Sequence, residues 1–344
     1  MSTNSSSHIR ALVFDGITLT FLFLVLTVQV VHPNEQQMLN LQFNSLLTAA
    51  YFVGSLVVSG LMTKFHIMTW GEHIFLPAYK KKQTATSWYK TFWGWQAIIT
   101  LIVTFTVGLV MTKFSIYELT DPDGLSGALR LFGGIFSPDW SILPRAVNNI
   151  IETLFMAFIA TALAIPFAFV LSFLSARNVM KSPLAFTIYM LLRTFFNVVR
   201  SVEALIWAII FSVWVGIGPF AGMLALMVHS VASLAKQYSE MVESIDEGPL
   251  EGILSTGASP FQVVWYSVVP QIILPYISFT VYRWDINVRM ATIIGLVGGG
   301  GIGTLLIQYQ GQAMWPQVGC IIVVIAVVVW LLDQASAYLR EALK

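Results

Sequence analysis

Apolar runs of 17 residues or more recur from one end of this chain to the other, and no other feature constrains its fold as strongly. At 1.5 Å per helical residue, each run is about long enough to cross the roughly 30 Å hydrocarbon core of a bilayer. Hydrocarbon offers backbone polar groups no partner, so a spanning segment closes its own hydrogen bonds as a helix. The expected fold class is therefore all-α: a polytopic transmembrane helical protein with spans at approximately 12–31, 45–62, 92–111, 151–173, 202–217, 219–236, 264–297 and 314–332. Only 10% of residues are charged and 57% are apolar, whereas a soluble domain carries about 25% charge, which excludes an ordinary cytoplasmic enzyme. The opening MSTNSSSHIRALVFDGITLT lacks a small-residue cleavage site, which favours a retained first span over a signal peptide.

Net charge is +1, so only the placement of charge is informative. The 63–91 loop holds Lys64, Lys80, Lys81, Lys82 and Lys90, whereas 32–44 has no lysine or arginine; the former is expected in the cytoplasm. Residues 112–150 then lie outside, with Glu118, Asp121, Asp123 and Asp139 outnumbering three basic residues, while Arg177, Lys181, Arg340 and Lys344 return to the cytoplasm with both termini. Cys320 is the single cysteine and sits in an apolar run, which excludes an internal disulfide or thiolate cluster; no metal site is expected.

The chain divides by composition into three accessory spans at 1–115, an external Gly- and Pro-rich linker at 116–147 expected to be loop with short helical turns, and a core at 148–344. Glycine, proline and internal charge are dense in that core, as where helices break or line a polar cavity. No internal repeat of the inverted-transporter kind is evident. Residues 183–200, with Arg193 and Arg200, read as an amphipathic stretch at the cytoplasmic face.

Between the sixth and seventh spans, KQYSEMVESIDEGPLEGILSTGASPFQVVWYSVVPQ reads as helix, break, short helix, break, helix. Pro249 suits the first helical position, Gly257 the left-handed residue that ends a helix, and Ser259-Pro260 a cap and first position. Leu250, Ile253 and Leu254 fall at i, i+3 and i+4, an apolar stripe on a helix too short to be stable alone. It docks either on its own protein or on a partner. Glu251, Gly257 and Pro270 are similar in type and spacing to the glutamate, glycine and proline of the EAA loop of permeases from ATP-binding-cassette importers. This chain has Glu-Gly-Ile where that pattern has Glu-Ala-Ala, and Val269 before the proline where leucine is usual. RSVEALIWAIIFSVWVGIGPFAGMLALMVHS, YRWDINVRMATIIGLVGGGGIGTLL and the SARN of Ser175 to Asn178 resemble the phosphonate-type branch of these permeases, over roughly residues 134–344.

The resemblance implies a type I importer permease whose loop 237–263 is a coupling element, with Glu247, Leu250, Glu251, Ile253, Leu254 and Gly257 facing the ATPase. It also implies a homodimer, two cytoplasmic ATPase subunits that bind ATP and Mg, and an external phosphonate-type binding protein, in a bacterial inner membrane. No cofactor is expected in the chain itself, and no nucleic acid partner. An ion-coupled secondary transporter of a small anion is the alternative; Asp285 and Asp15 are its only modest carboxylates. No P-loop, H-E-x-x-H or Ser-His-Asp pattern supports chemistry here.

Inside the membrane, Arg283, Asp285, Asn287 and Arg289 lie on the seventh span, where each bare charge costs a few kcal/mol. Two readings stand: Asp285 neutralises an arginine to hold helices in register, or an unpaired guanidinium meets an anion along a pathway. Arg200, Ser201 and Glu203 form a second polar cluster, with snorkelling of Arg200 to the interface as its simpler account. His229 is either a packing residue or a pathway contact. Gly298 to Gly303 match G-x-G-x-x-G but follow an apolar span with no acidic residue twenty positions on, so nucleotide binding is rejected. Gly298, Gly299, Gly300, Gly301 and Gly303 instead allow close helix approach, with or without a gate.

Overall fold

The computed structural model describes residues 3–31, 45–65, 67–76, 87–180 and 182–342. Lys80, Lys81, Lys82, Lys181, Lys344 and the 32–44 loop, all used above for orientation, lie outside the described residues. Those residues are helical throughout, without strands, and form two compact units, Met1–Asp121 and Pro122–Lys344.

The first unit contains α1 (Thr3–Val31), α2 (Ser45–Lys64), α3 (Trp70–Phe75), α4 (Phe92–Met111) and α5 (Ile116–Thr120). Its polar centre is Asp15, fully buried on α1. The Asp15 carboxylate accepts from the Thr69 hydroxyl, from the Gly71 N–H at 2.8 Å and from Gln96 Nε2 at 3.3 Å. Three donors in place of water are what a buried carboxylate requires. They tie α1 to the capping box that starts α3, in which Thr69 and Glu72 satisfy each other's backbone N–H.

The second unit runs α6 (Pro122–Ile135), α7 (Leu143–Leu174), α8 (Pro183–Ser201), α9 (Ala204–Val215), α10 (Pro219–Glu243), α11 (Glu247–Ser255), α12 (Pro260–Val263), α13 (Val269–Ile294), α14 (Gly301–Gly311) and α15 (Trp315–Ala342). Within 116–147, expected to be loop with short helical turns, residues 122–135 form one 14-residue helix. Ala128, Leu131, Gly134 and Ile135 make a partly buried stripe at helical spacing, and α6 packs on α15. α7 and α10 pack along each other through alanines, with Ala157, Ala160, Ala164, Ala225 and Ala232 almost fully buried. Small side chains let the two backbones approach closely, the usual basis of helix association in lipid.

Six segments among the described residues are long and apolar enough to span: Ser7–Val25, Phe92–Met111, Trp140–Leu174, Pro219–Glu243, Phe261–Val297 and Trp315–Ala342. The expected span at 202–217 is the 12-residue α9, only about 18 Å long at 1.5 Å per residue. It meets the amphipathic α8 at 90° across a short break, the geometry of a broken span or a re-entrant loop. The long helix expected at 264–297 is continuous with α12 through a π turn at Val264–Val268. Pro270 cannot donate a backbone N–H, and the wider turn just before it routes the Val269 N–H to the Val264 carbonyl instead.

Candidate translocation pathway and coupling segment

α13 presents two polar faces. Residues two apart on a helix point about 200° away from each other, so the pair Arg283/Asn287 and the pair Asp285/Arg289 are on opposite sides.

The first face looks into the protein. Arg283 is 7% exposed and Asn287 fully buried. Arg283 Nε donates to Ser230 Oγ at 3.0 Å, and its Nη2 meets His229 Nδ1. Asn287 Nδ2 donates to Thr161 Oγ1 and to Ser230 Oγ, each at 2.8 Å, which joins α7, α10 and α13 at one point. No carboxylate oxygen lies within 4 Å of Arg283 among the described residues. Its charged neighbours are Arg200, which adds like charge, and Glu203, which opposes it; His229 lies beside Arg200 as well. Arg200, Ser201 and Glu203 are exposed at the bend between α8 and α9. Arg200, His229, Arg283 and Asn287 are thus drawn into one neighbourhood, held by neutral partners that leave a buried positive charge without an ion pair.

The second face pairs its charges. Arg289 Nη2 lies 2.6 Å from Asp285 Oδ2 and 2.8 Å from Asp333 Oδ1 of α15. A guanidinium between two carboxylates ties α13 to α15 through charge-assisted hydrogen bonds. Asp333 escaped the sequence reading, although a lone carboxylate in VVVWLLDQA was a usable signal.

The glycines are a place of close contact. Gly218 N–H donates to the Gly298 carbonyl at 2.9 Å, bringing the α9–α10 turn against the α13–α14 turn. Gly300 has φ +79°, and a Cβ there would come within 2.6 Å of Pro219 Cγ, so no other residue fits. The Gly301 and Ile302 N–H groups at the start of α14 donate to Glu152 Oε1 at 3.1 Å and Thr153 Oγ1 at 2.8 Å.

On the segment between α10 and α13, α11 has no fully buried residue. Asp246 caps it through the Gly248 N–H at 3.1 Å, so the helix begins two residues before Pro249, which still falls in the first turn where its missing N–H costs nothing. Gly257 takes φ +78° just past the end, and Ser259 and Gln262 form a capping box on α12. Leu250 packs on the protein's own core, whereas Leu254 is 51% exposed and Glu247 and Glu251 face outward. The apolar stripe is therefore split: one edge anchors the helix and the other is presented. Two clasps fix its base. Glu243 Oε1 accepts from Arg193 Nη1 at 2.7 Å and from the Arg177 N–H at 2.8 Å, and the Asp246 N–H donates to Gln271 Oε1 at 2.9 Å. The SARN stretch is part of the first clasp, for Asn178 Nδ2 donates to the Val242 carbonyl at 2.7 Å.

Residues 184–343 match the family model of the binding-protein-dependent transport system inner membrane component. The phosphite transport system permease protein PtxC of Stutzerimonas stutzeri is 37% identical over 222 residues, which are 64% of this chain and 80% of that protein. This chain belongs to that family of transport permeases. The phosphate-import permease protein PhnE of Mycolicibacterium smegmatis is 35% identical over 192 residues, 56% of this chain and 36% of that protein. In fold, the second relation is to a chain of the MetNI methionine ABC transporter, with a TM-score of 0.52 at 22% identity over 60% of this chain and 99% of that one. The permease is accordingly a multi-pass inner-membrane transport component rather than an enzyme, and its family membership displaces the ion-coupled alternative.

Proposed function

We propose that this permease carries a phosphorus oxyanion of the phosphite, phosphonate or phosphate class inward, driven by ATPase subunits that dock on α11. The observation that carries the reading is Arg283: a guanidinium almost out of solvent, with no carboxylate within 4 Å among the described residues. A buried charge without a counter-ion is costly. An anion passing through a dimeric pathway supplies that counter-ion transiently, and the planar fork of arginine suits tetrahedral oxyanions. Permeases similar in sequence include ones named for phosphite and phosphate transport, which supports this substrate class.

The permease works as a homodimer with two ATPase subunits holding ATP and Mg, an external binding protein, and both termini in the cytoplasm. Glu247, Glu251 and Leu254 face the ATPase, while the clasps at Glu243 and Asp246 convert movement of α11 into movement of α8, α10 and α13. Residues 1–115 are an accessory bundle outside the matched family region. The test is growth of a bacterium lacking its own phosphorus importers on phosphite, methylphosphonate or phosphate, supplied with this permease, its ATPase and its binding protein. Growth on at least one, lost with Arg283→Ala and partly kept with Arg283→Lys, is expected. Growth unaffected by Arg283→Ala would overturn the assignment.

A further inference from the structure

A polar cavity of about 330 Å³ opens beside the two glycine turns on the first third of α7. That volume is within the range of about 300–1,000 Å³ typical of ligand clefts. Arg145, Asn149 and Glu152 fall at i, i+4 and i+7 on one face of α7, Thr304 and Gln308 approach from α14, and the glycine turns close the inner wall. A guanidinium, two amides and a carboxylate do not face acyl chains, so this cleft faces water or the pathway.

The charges within it are disposed unevenly. Glu152 is engaged by the Gly301 N–H at the start of α14, where the helix dipole favours a negative charge. Arg145 is exposed and has no carboxylate within 4 Å among the described residues; its guanidinium lies 5.9 Å from the centre of the Tyr309 ring. Asn149 Nδ2 donates one of its two N–H groups to the Arg145 carbonyl at 2.8 Å, and the Gln308 amide lines the cleft from α14. Arg145 and Glu152 are two helical turns apart, about 10 Å of backbone rise, and their charged groups form no ion pair within 4 Å.

We propose that this cleft is an outer station for the transported oxyanion, in which Arg145 and Gln308 receive it before it passes the glycine turns toward Arg283. The inference rests on the substrate class given above and adds a second binding position, with its own residues. An arginine without an ion pair on either side of the glycine turns gives an anion a place to bind before and after it passes them. The strength of charge-assisted hydrogen bonds sets the expected effect of losing Arg145 at roughly ten- to a hundredfold in transport.

The experiment is uptake of phosphite, phosphate and methylphosphonate by proteoliposomes holding permease, ATPase and binding protein, normalised to assembled complex, with affinity for the binding protein measured alongside. Arg145→Ala is expected to lower uptake at least tenfold, Arg145→Lys less, and Gln308→Leu severalfold, with binding-protein affinity within twofold of wild type. Uptake by Arg145→Ala within twofold of wild type would overturn the outer station alone, and so would a loss of binding-protein affinity that matches the loss of uptake, which would make the cleft a docking surface. Should Arg145→Ala fail to assemble, Gln308→Leu decides by the same criteria. A wild-type complex that carries none of the three anions would overturn the substrate class together with the station.

Discussion

Replacing Arg289 by alanine separates a structural tie from a transport contact. The change removes the partner of Asp285, whose side chain is 4% exposed, and of Asp333, whose side chain is 40% exposed. Stripping one member from a buried ion pair costs about 3–5 kcal/mol, because the other charge is left uncompensated. The Arg289 side chain is itself 50% exposed, so solvent screening brings the expectation down to about 2 kcal/mol. For a unit of this size that corresponds to a fall in melting temperature of roughly 4–8 °C. The assay is thermal unfolding of the detergent-purified complex, with uptake measured on the same preparations. Asp285→Asn alone should cost less, and the double variant should recover most of the stability and of the uptake, since the orphaned charge is gone. Arg289→Ala with an unchanged melting temperature but no uptake, unrescued by Asp285→Asn, would refute the structural assignment and put Arg289 on the pathway.

Glu251→Ala should weaken ATPase docking or uncouple hydrolysis from uptake while the permease itself keeps its melting temperature, because Glu251 faces outward on α11; co-purification and coupled ATPase assays check this. Glu243→Gln should loosen two bonds at once, those to Arg193 and to the Arg177 N–H, and lower uptake per ATP hydrolysed without lowering ATPase binding. Gly300→Ala should lower stability by about 1–3 kcal/mol through a left-handed backbone and a clash with Pro219, seen in thermal unfolding. Single cysteines at Lys90 and Asp121 should label oppositely from outside the cell, with Asp121→Cys reactive and Lys90→Cys protected; the reverse would invert the topology.

What could be read from the sequence was what short-range physics determines. Gly257, Ser259 and Pro260 mark helix ends by their own backbone preferences, and the structure places helix ends there. The all-helical fold followed from the apolar runs and the absence of hydrogen-bonding solvent in lipid. The partition of the four polar residues on α13 was half legible: helical spacing alone puts Arg283 with Asn287 and Asp285 with Arg289. Which pair is neutralised depended on Asp333, 44 residues further on, and on Ser230 and His229 across the helix interface, which no local pattern reveals. The glycines and prolines of 116–147 point to loop with short helical turns and mask the stripe of small and apolar residues on α6, which gains order only against α15. The outer cleft was missed for the same reason, although Arg145, Asn149 and Glu152 at helical spacing in an otherwise apolar stretch were a visible signal.

The central claim, that ATP drives a phosphorus oxyanion past a buried guanidinium, is tested most directly by time-resolved uptake in proteoliposomes containing the permease, its ATPase and its binding protein. The wild-type complex should accumulate phosphite, phosphate or methylphosphonate only with ATP inside the cytoplasmic compartment, and Arg283→Ala should abolish accumulation in an assembled complex. Accumulation that persists in Arg283→Ala, or that runs on an ion gradient without ATP, would contradict it.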